Sequence, residues 1–193
     1  MSHNGHLAGT AEVDALLDAS FYLPYASKPA RQQLKGAARR LVGRYLEKYH
    51  SDLDRVWAVE RPFELHLDNA IVSGRADVIL DQEDGEPASL AIVDYKTSTE
   101  RDDDGELSEY TLQLQVYTDA GRKEGLTVRA AYVHDLKQAD RLAVDVSPDA
   151  IGAAESEVRE IITRFRAGDF AARPSRKACG GCDMRQVCRF AQR

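Results

Sequence analysis

The 193-residue sequence has no long hydrophobic run and only three cysteines. No stretch approaches the roughly 20 apolar residues of a membrane-spanning helix, and no apolar signal segment opens the chain. The cysteines all fall between residues 179 and 188, and an odd number in one short cluster does not suit a secreted disulfide framework. We therefore expect a cytoplasmic globular protein whose cysteines serve a local purpose.

The chain also has no net positive charge, because it contains 26 Lys and Arg and 32 Asp and Glu, which gives a net charge of -6. The charges are nevertheless unevenly spread along the sequence. Residues 28–48 carry an excess of about six basic side chains, and the chain after Ala150 has nine Lys and Arg against five Asp and Glu. The acidic excess falls at 81–86 and 102–109. A negative total therefore does not exclude a local site for a polyanion.

Hydrophobic periodicity predicts an alternation of helices and strands typical of an α/β protein. Three strands precede a central helix, and two further strands and a long helix follow it, which favours a mixed sheet with helices packed on it. Asp68-Asn69 is a two-residue hairpin turn between the first two strands. The predicted elements are a short helix 11–19, helix 30–49, strands 56–67, 70–80 and 89–96, helix 109–124, strands 127–136 and 141–146, and helix 148–167.

Two aspartates and a lysine interrupt strongly apolar strands. Asp77 lies in the second strand, Asp94 lies near the end of the third, and the short connection predicts that these strands are antiparallel neighbours. Asp94 and Lys96 are two apart on a strand and so face the same side. A buried carboxylate is costly unless it is paired or binds a metal, so this set suits Mg²⁺-assisted phosphodiester hydrolysis. A plain salt bridge at a sheet end is the alternative.

The motifs Gly-Arg-Ala-Asp77, Val-Asp94-Tyr-Lys96-Thr and Gln113-x-x-x-Tyr117 resemble those of the PD-(D/E)XK nuclease superfamily. The resemblance is greatest to the RecB/AddB-like nuclease domains of bacterial helicase–nucleases and to the exonucleases of CRISPR adaptation, and it covers roughly residues 30–193. It implies a restriction-endonuclease-like αβββαβ core with a mixed sheet.

The resemblance also implies a Mg²⁺- or Mn²⁺-dependent active site. Asp77 and Asp94 would coordinate the metal, with the carbonyl of Tyr95 as an extra ligand, and Lys96 would be the catalytic lysine. Glu60, which opens a strand segment before a proline, is a further candidate metal ligand. A surface glutamate is the competing interpretation of Glu60.

The helix that follows the third strand would contribute Gln113 and Tyr117, one turn apart and facing both the site and the DNA. The alternative is a surface glutamine and a core tyrosine. The predicted helix 30–49 departs from the family pattern, because Arg40 in Gly36-Ala-Ala-Arg-Arg40 occupies the position where many members carry a histidine. His50, at the end of that helix, is too far along to replace it. This departure puts the nuclease activity in question.

Cys179-Gly-Gly-Cys182 and Cys188 have a spacing that suits metal or cluster ligation. In AddB-like relatives such a tail resembles three of the four ligands of a [4Fe–4S] cluster, whose remaining cysteine lies upstream of the core. This sequence has no upstream cysteine. We expect the chain to be a fragment of a longer protein, with a non-cysteine fourth ligand or a zinc ion as the alternatives.

These observations predict an N-terminal extension (1–28), a nuclease core (29–170) and a C-terminal cysteine module (171–193). The expected function is that of a metal-dependent DNA exonuclease that acts on single strands or duplex ends beside a helicase in DNA repair or recombination. No Walker-type phosphate-binding sequence is present, so the helicase motor would lie elsewhere. The alternatives are a catalytically inactive DNA-binding module with the nuclease fold and a small zinc-bound regulatory domain.

Overall fold

The structure, a computed structural model, describes residues 10–82, 89–97 and 108–192. Most of the two acidic segments and residues 1–9 of the predicted N-terminal extension lie outside these ranges. The helices are α1 (Thr10–Ser20), α2 (Lys28–Tyr49), α3 (Ser108–Lys123), α4 (Pro148–Arg166) and α5 (Arg176–Gly180), with 3₁₀ segments at His50–Arg55 and Asp183–Gln186. The strands are β1 (Val56–Leu67), β2 (Ala70–Asp81), β3 (Leu90–Lys96), β4 (Val128–Asp135) and β5 (Asp140–Val144).

The five strands form one mixed sheet in the order β1-β2-β3-β4-β5. Strands β3 and β4 are parallel and joined through α3, while the other neighbouring pairs are antiparallel. The central β3 is buried from Leu90 to Asp94, which fits its nearly continuous apolar sequence. This architecture confirms the predicted α/β class with a restriction-endonuclease-like core.

The β1–β2 hairpin closes at the predicted turn. Asp68 and Asn69 have φ angles of 47° and 59°, the left-handed conformation that a two-residue hairpin turn requires at both positions. Farther along the chain, α3 buries Leu114, Tyr117 and Ala120. It contacts β1 and β4 most extensively, so one amphipathic helix covers the middle of the sheet.

The chain divides into two compact units, Met1–Glu155 and Ser156–Arg193, and the division falls within α4. The first unit contains the whole sheet together with α1 to α3. The second contains the end of α4 and the cysteine-bearing tail. In the part of the chain that the structure describes, no helix is long and apolar enough to cross a bilayer.

The basic side chains of α2 are mostly engaged by the protein itself. Lys35 and Arg39 form ion pairs with Asp18 and Asp14 of α1, the latter at 2.7 Å. Farther along the helix, Arg44 donates to the carbonyl of Lys137, and Lys48 donates to the Ala139 carbonyl at 3.0 Å and lies 3.4 Å from the Asp140 carboxylate. The basic stretch that the sequence offers as a route for DNA therefore holds α2 against α1 and the β4–β5 turn.

Candidate active site

Strands β2 and β3 separate at the point where the two aspartates stand. Their backbone pairing runs from Asp81 opposite Leu90 to Val78 opposite Val93. Continued by one residue, this register puts Asp77 opposite Asp94. Instead of bonding to the β2 backbone, the N–H of Tyr95 donates to Oδ2 of Asp77 at 2.8 Å. The two carboxylates therefore lie where β2 and β3 separate. Their strands are antiparallel neighbours, as the short connection predicts.

Asp94 is a buried carboxylate whose nearest cation is the predicted lysine. Its side chain is 2% exposed, and Nζ of Lys96 lies 2.6 Å from Oδ2. Oδ2 is nevertheless without a hydrogen-bond partner of regular geometry among the described residues. Burial raises the pKa of Asp94, the charge of Lys96 opposes that rise, and the nearby charge of Asp77 adds to it. The single charge of Lys96 therefore does not fully offset the cost of burying the Asp94 carboxylate.

Lys96 is held between the carboxylate and an aromatic ring. Its Nζ lies 5.0 Å from the centroid of Tyr110 on α3, within the range of a cation–π contact. The side chain is 24% exposed, so part of it is open to solvent. Lys96 therefore has both a fixed direction and an open side.

Helix α3 fills the split between the strands through two side chains one turn apart. The hydroxyl oxygen of Tyr117 accepts from the backbone N–H of Arg75 on β2 at 3.1 Å and from Nε2 of Gln113 at 3.1 Å. Nε2 of Gln113 also lies 3.5 Å from Oδ1 of Asp94. The structure therefore joins Gln113 and Tyr117 to Asp94, and it buries Tyr117 as the core alternative expects.

Glycine is required where Tyr117 approaches β2. A Cβ atom added at Gly74 would lie 2.3 Å from Cε1 and 2.5 Å from the hydroxyl oxygen of Tyr117. The ring also stacks on that of Phe63, whose centroid is 6.0 Å away. The first residue of the Gly-Arg-Ala-Asp77 motif thus makes room for the tyrosine that caps the open edge of β2.

Glu60 lies in line with the two aspartates but points outward. Glu60 falls between the β1–β2 pairs Val59–Val78 and Arg61–Ala76, at the level of Asp77. The Glu60 side chain is 65% exposed, and its carboxylate lies 3.9 Å from the guanidinium of Arg75. Its φ angle of 49° is strained for a non-glycine residue, a feature that clusters at functional sites.

The donors at the split fit a hard divalent cation. Asp77 and Asp94 supply carboxylate oxygens, and Oδ2 of Asp94 is buried and lacks a well-directed partner among the described residues. The carbonyl of Tyr95 lies on the same side of β3 as its N–H, which faces Asp77. Mg²⁺ binds through one or two carboxylates and keeps several waters. Within the described ranges no three His, Cys, Asp or Glu side chains converge as a metal-binding group, so Glu60 does not complete the shell in this arrangement.

The comparisons with known proteins agree with this geometry. The model of the PD-(D/E)XK nuclease superfamily matches residues 4–189. The chain belongs to the PD-(D/E)XK nuclease superfamily. A candidate exonuclease from Eubacterium rectale has a crystal structure with a TM-score of 0.55 and 16% identity, covering 95% of this chain and 71% of its own. The crystal structure of SSO0001 has a TM-score of 0.50 and 14% identity, covering 95% and 79%. No curated protein matches.

This superfamily member has no histidine at the expected place on α2. Arg40 is exposed there, and its guanidinium is the nearest group to a Cβ atom added at Gly36, at 3.6 Å, so it folds back along its own helix. His50 is exposed at the start of the 3₁₀ segment. Neither residue is among the groups that contact the aspartates.

The three cysteines lie in the second compact unit. Cys179 is buried in α5, and its Sγ accepts the backbone N–H of Gln192 at 3.3 Å, whereas Cys182 and Cys188 are exposed. All three are free thiols, and as placed they do not form a metal-binding group within the described residues. This arrangement does not fit a four-ligand centre, so the iron–sulfur cluster and the zinc ion stay predictions.

A polar network behind the active site has no counterpart in the sequence-based predictions. The hydroxyls of Tyr95 and Tyr45 are 2.9 Å apart, and the Tyr45 hydroxyl donates to Oδ2 of Asp52 at 3.0 Å. Asp52 is 1% exposed and accepts from Arg141 and, at 2.5 Å, from Arg55. Burial acts to raise the pKa of Asp52, but the two arginines outweigh it and lower the pKa.

A buried histidine completes this network. His134 lies opposite Tyr95 in the β3–β4 register, and its ring centroid is 4.8 to 5.4 Å from those of Tyr45, Tyr49 and Tyr95. Nε of Arg141 lies 3.4 Å from its Nδ1. Burial, followed by the charge of Arg141, lowers the pKa of His134 to about 4, so the imidazole is neutral at pH 7. No local sequence pattern predicts these contacts, because they depend on the packing of α2 and on the sheet register.

Proposed function

We propose that the chain is a metal-dependent deoxyribonuclease of the PD-(D/E)XK type. The observation that carries the proposal is the buried carboxylate of Asp94, which lies 2.6 Å from Lys96 and near the charge of Asp77, where β2 and β3 separate. An ordinary salt bridge at a sheet end would not require a second carboxylate beside it, which adds unfavourable charge to the pair.

The residues at the opening have distinct chemical tasks in this proposal. Asp77 and Asp94 would hold Mg²⁺ or Mn²⁺, which would polarise a phosphate and lower the pKa of a coordinated water. Lys96, through its open side, orients the attacking water and stabilises the negative charge that develops on the phosphate. Gln113 keeps Asp94 in place from α3, and Tyr117 fixes both Gln113 and the edge of β2.

On the level of biology, we propose a RecB/AddB-like exonuclease that acts in the cytoplasm on single strands or duplex ends together with a helicase. The motif resemblance supports this assignment, and the structural likeness to a candidate exonuclease of 16% identity agrees with it. The cysteine tail would then hold a [4Fe–4S] cluster or zinc, which requires that the three thiolates converge and that a fourth ligand is supplied.

The test is a cleavage assay with DNA labelled at either end, as single strands and as duplexes, together with covalently closed circular DNA. We expect cleavage with Mg²⁺ or Mn²⁺, none with EDTA, and no attack on the closed circle if the enzyme is an exonuclease. Lys96→Ala should lower kcat by about 10² to 10³, the effect of removing one preorganised charge-stabilising group. Lys137→Ala, which removes an exposed lysine outside the site, is the matched control.

Cleavage in EDTA, or a kcat in Lys96→Ala equal to that of the wild type, would contradict the proposal. The second candidate function, a catalytically inactive DNA-binding module, is favoured by the exposed Arg40 at the position of the family histidine. DNA binding without cleavage in either metal, at several pH values, would support that alternative instead.

A further inference from the structure

The end of β3 carries the active site, but its pairing with the neighbouring strand β2 stops before this end. Backbone pairing with β2 ends at Val93, so Asp94, Tyr95 and Lys96 are in register with β4 alone. A small shift of this end of β3 would move Asp94 and Lys96 together. It would also move the Tyr95 N–H that holds Asp77. The position of Tyr95 therefore depends on contacts other than pairing with β2.

The Tyr95 side chain supplies that attachment. Side chains alternate along a strand, so the Tyr95 ring lies on the face opposite Asp94 and Lys96. There it packs against Val78 and Val93, the last backbone pair before β2 and β3 separate. Its hydroxyl reaches Tyr45 of α2 at 2.9 Å. The ring thus links the branch point of the sheet to the helix behind it.

The direction of the hydrogen bonds follows from the proton count. A tyrosine hydroxyl has one proton, and that of Tyr45 is donated to Asp52. The Tyr95 hydroxyl must therefore donate to the Tyr45 oxygen. Asp52 cannot rotate away, because its two oxygens accept from Arg141 on β5 and from Arg55. The chain from Tyr95 to Asp52 consequently ends on a buried, doubly held carboxylate.

We propose that Tyr95 and Tyr45, anchored by Asp52, are positioning residues that hold the end of β3 so that Asp77 and Asp94 can bind a metal ion. This inference rests on the proposed function for its catalytic consequence. The side chains of the relay contribute no ligand to the proposed metal site. It acts through the Tyr95 backbone, whose N–H orients Asp77 and whose neighbours in sequence are Asp94 and Lys96.

Tyr95→Phe is the sharpest perturbation, because it removes one hydroxyl and leaves the Tyr45–Asp52 hydrogen bond in place. Tyr132→Phe is its matched control, since Tyr132 packs against the same Val78–Leu80–Val93 cluster without belonging to the relay. Tyr45→Phe is a second variant that breaks the same link from the other side. Asp52 keeps both arginines in that variant, so a folded protein is expected.

Three readouts separate positioning from a general loss of stability. The first is the hydrogen-exchange rate of the amide of residue 95, measured by NMR without metal. The second is the Kd of Mn²⁺ measured by calorimetry without DNA. The third is kcat and KM for DNA. Loss of one hydrogen bond changes an equilibrium by about fivefold, so we expect Tyr95→Phe to accelerate exchange and weaken Mn²⁺ binding by about that factor.

In the same variant kcat should fall about tenfold with KM unchanged, because small displacements of reacting groups are costly. Tyr132→Phe should match the wild type in all three readouts, and the double variant of Tyr45 and Tyr95 should be no worse than the poorer single variant. Unchanged exchange and Mn²⁺ affinity in Tyr95→Phe overturn the relay, even if stability falls. If the wild type binds Mn²⁺ but cleaves nothing, the proposed function fails while the first two readouts still decide the relay. A wild type that neither binds Mn²⁺ nor cleaves DNA overturns both.

Discussion

Replacement of Asp52 by asparagine tests the energetic weight of the buried network. Asp52 is 1% exposed and is the acceptor for three side chains, namely Tyr45, Arg55 and Arg141. The asparagine side chain would retain one acceptor oxygen and introduce an amide that donates. It would therefore leave the guanidinium groups, whose side chains are 25% and 13% exposed, without a counter-charge.

Removal of one partner from a buried ion pair costs about 3 to 5 kcal/mol. Because both arginines keep partial contact with solvent, we expect the lower end, about 3 kcal/mol at pH 7. The loss should depend on pH in a defined sense. The folded state lowers the pKa of Asp52, so its contribution is complete above the unfolded pKa of about 4 and disappears as the pH falls through the folded value. Wild type and Asp52→Asn should therefore converge in acid.

Urea unfolding followed by circular dichroism, at pH 7 and at several values down to the acid limit of folding, measures this difference. Asp14→Asn is the control, since it breaks an exposed pair with Arg39 and should change the free energy of unfolding by less than about 1 kcal/mol. A difference below about 1 kcal/mol for Asp52→Asn, or one that does not shrink in acid, would refute the reasoning.

Three further changes have expected outcomes. Gly74→Ala should destabilise the protein by about 2 kcal/mol and lower kcat, because Tyr117 must leave its place, as urea unfolding and the cleavage assay would show. Gly43→Ala, in open space on α2, should instead raise the unfolding free energy by about 0.5 to 1 kcal/mol. Since burial lowers the pKa of His134 to about 4, the unfolded state binds its proton first, so stability should fall by up to about 3 kcal/mol from pH 6.5 to 4. His134→Phe should remove that slope in unfolding measurements.

The elements of the sheet could be predicted because their signals are local. The Asp68-Asn69 turn fixes the β1–β2 register, and the short β2–β3 connection makes Asp77 and Asp94 neighbours without any further information. The alternation rule likewise places Asp94 and Lys96 on one face, and they meet at 2.6 Å. The active-site hypothesis therefore depended on short-range geometry that the sequence contains.

The separation of β2 from β3 could not be predicted in the same way. Nothing in the sequence indicates that pairing stops at Val78 and that Tyr117 takes over the N–H of Arg75. The link from Tyr95 to Asp52 depends on the packing of α2 and on the β4–β5 register, which brings Arg141 beside His134. Such contacts join residues far apart in the chain, and the hydrophobic periodicity of the sequence does not predict them.

The charges of α2 show why composition is a poor guide to a binding surface. Seven basic residues in one helix suggest a DNA contact, but Lys35, Arg39 and Lys48 face acidic partners. A phosphate that approaches α2 must compete with these carboxylates, so the net gain per contact is smaller than for a free cation. The tail from Ser156 onward has nine Lys and Arg against four Asp and Glu, the reverse of the balance in the first unit. Arg164 of this unit is paired in the same way, with Asp169 at 2.9 Å, so the comparison with α2 depends on its exposed C-terminal arginines, Arg185 and Arg189. If these two arginines meet the DNA backbone, their mutation should flatten the salt dependence of binding more than mutation of Lys35 or Arg39.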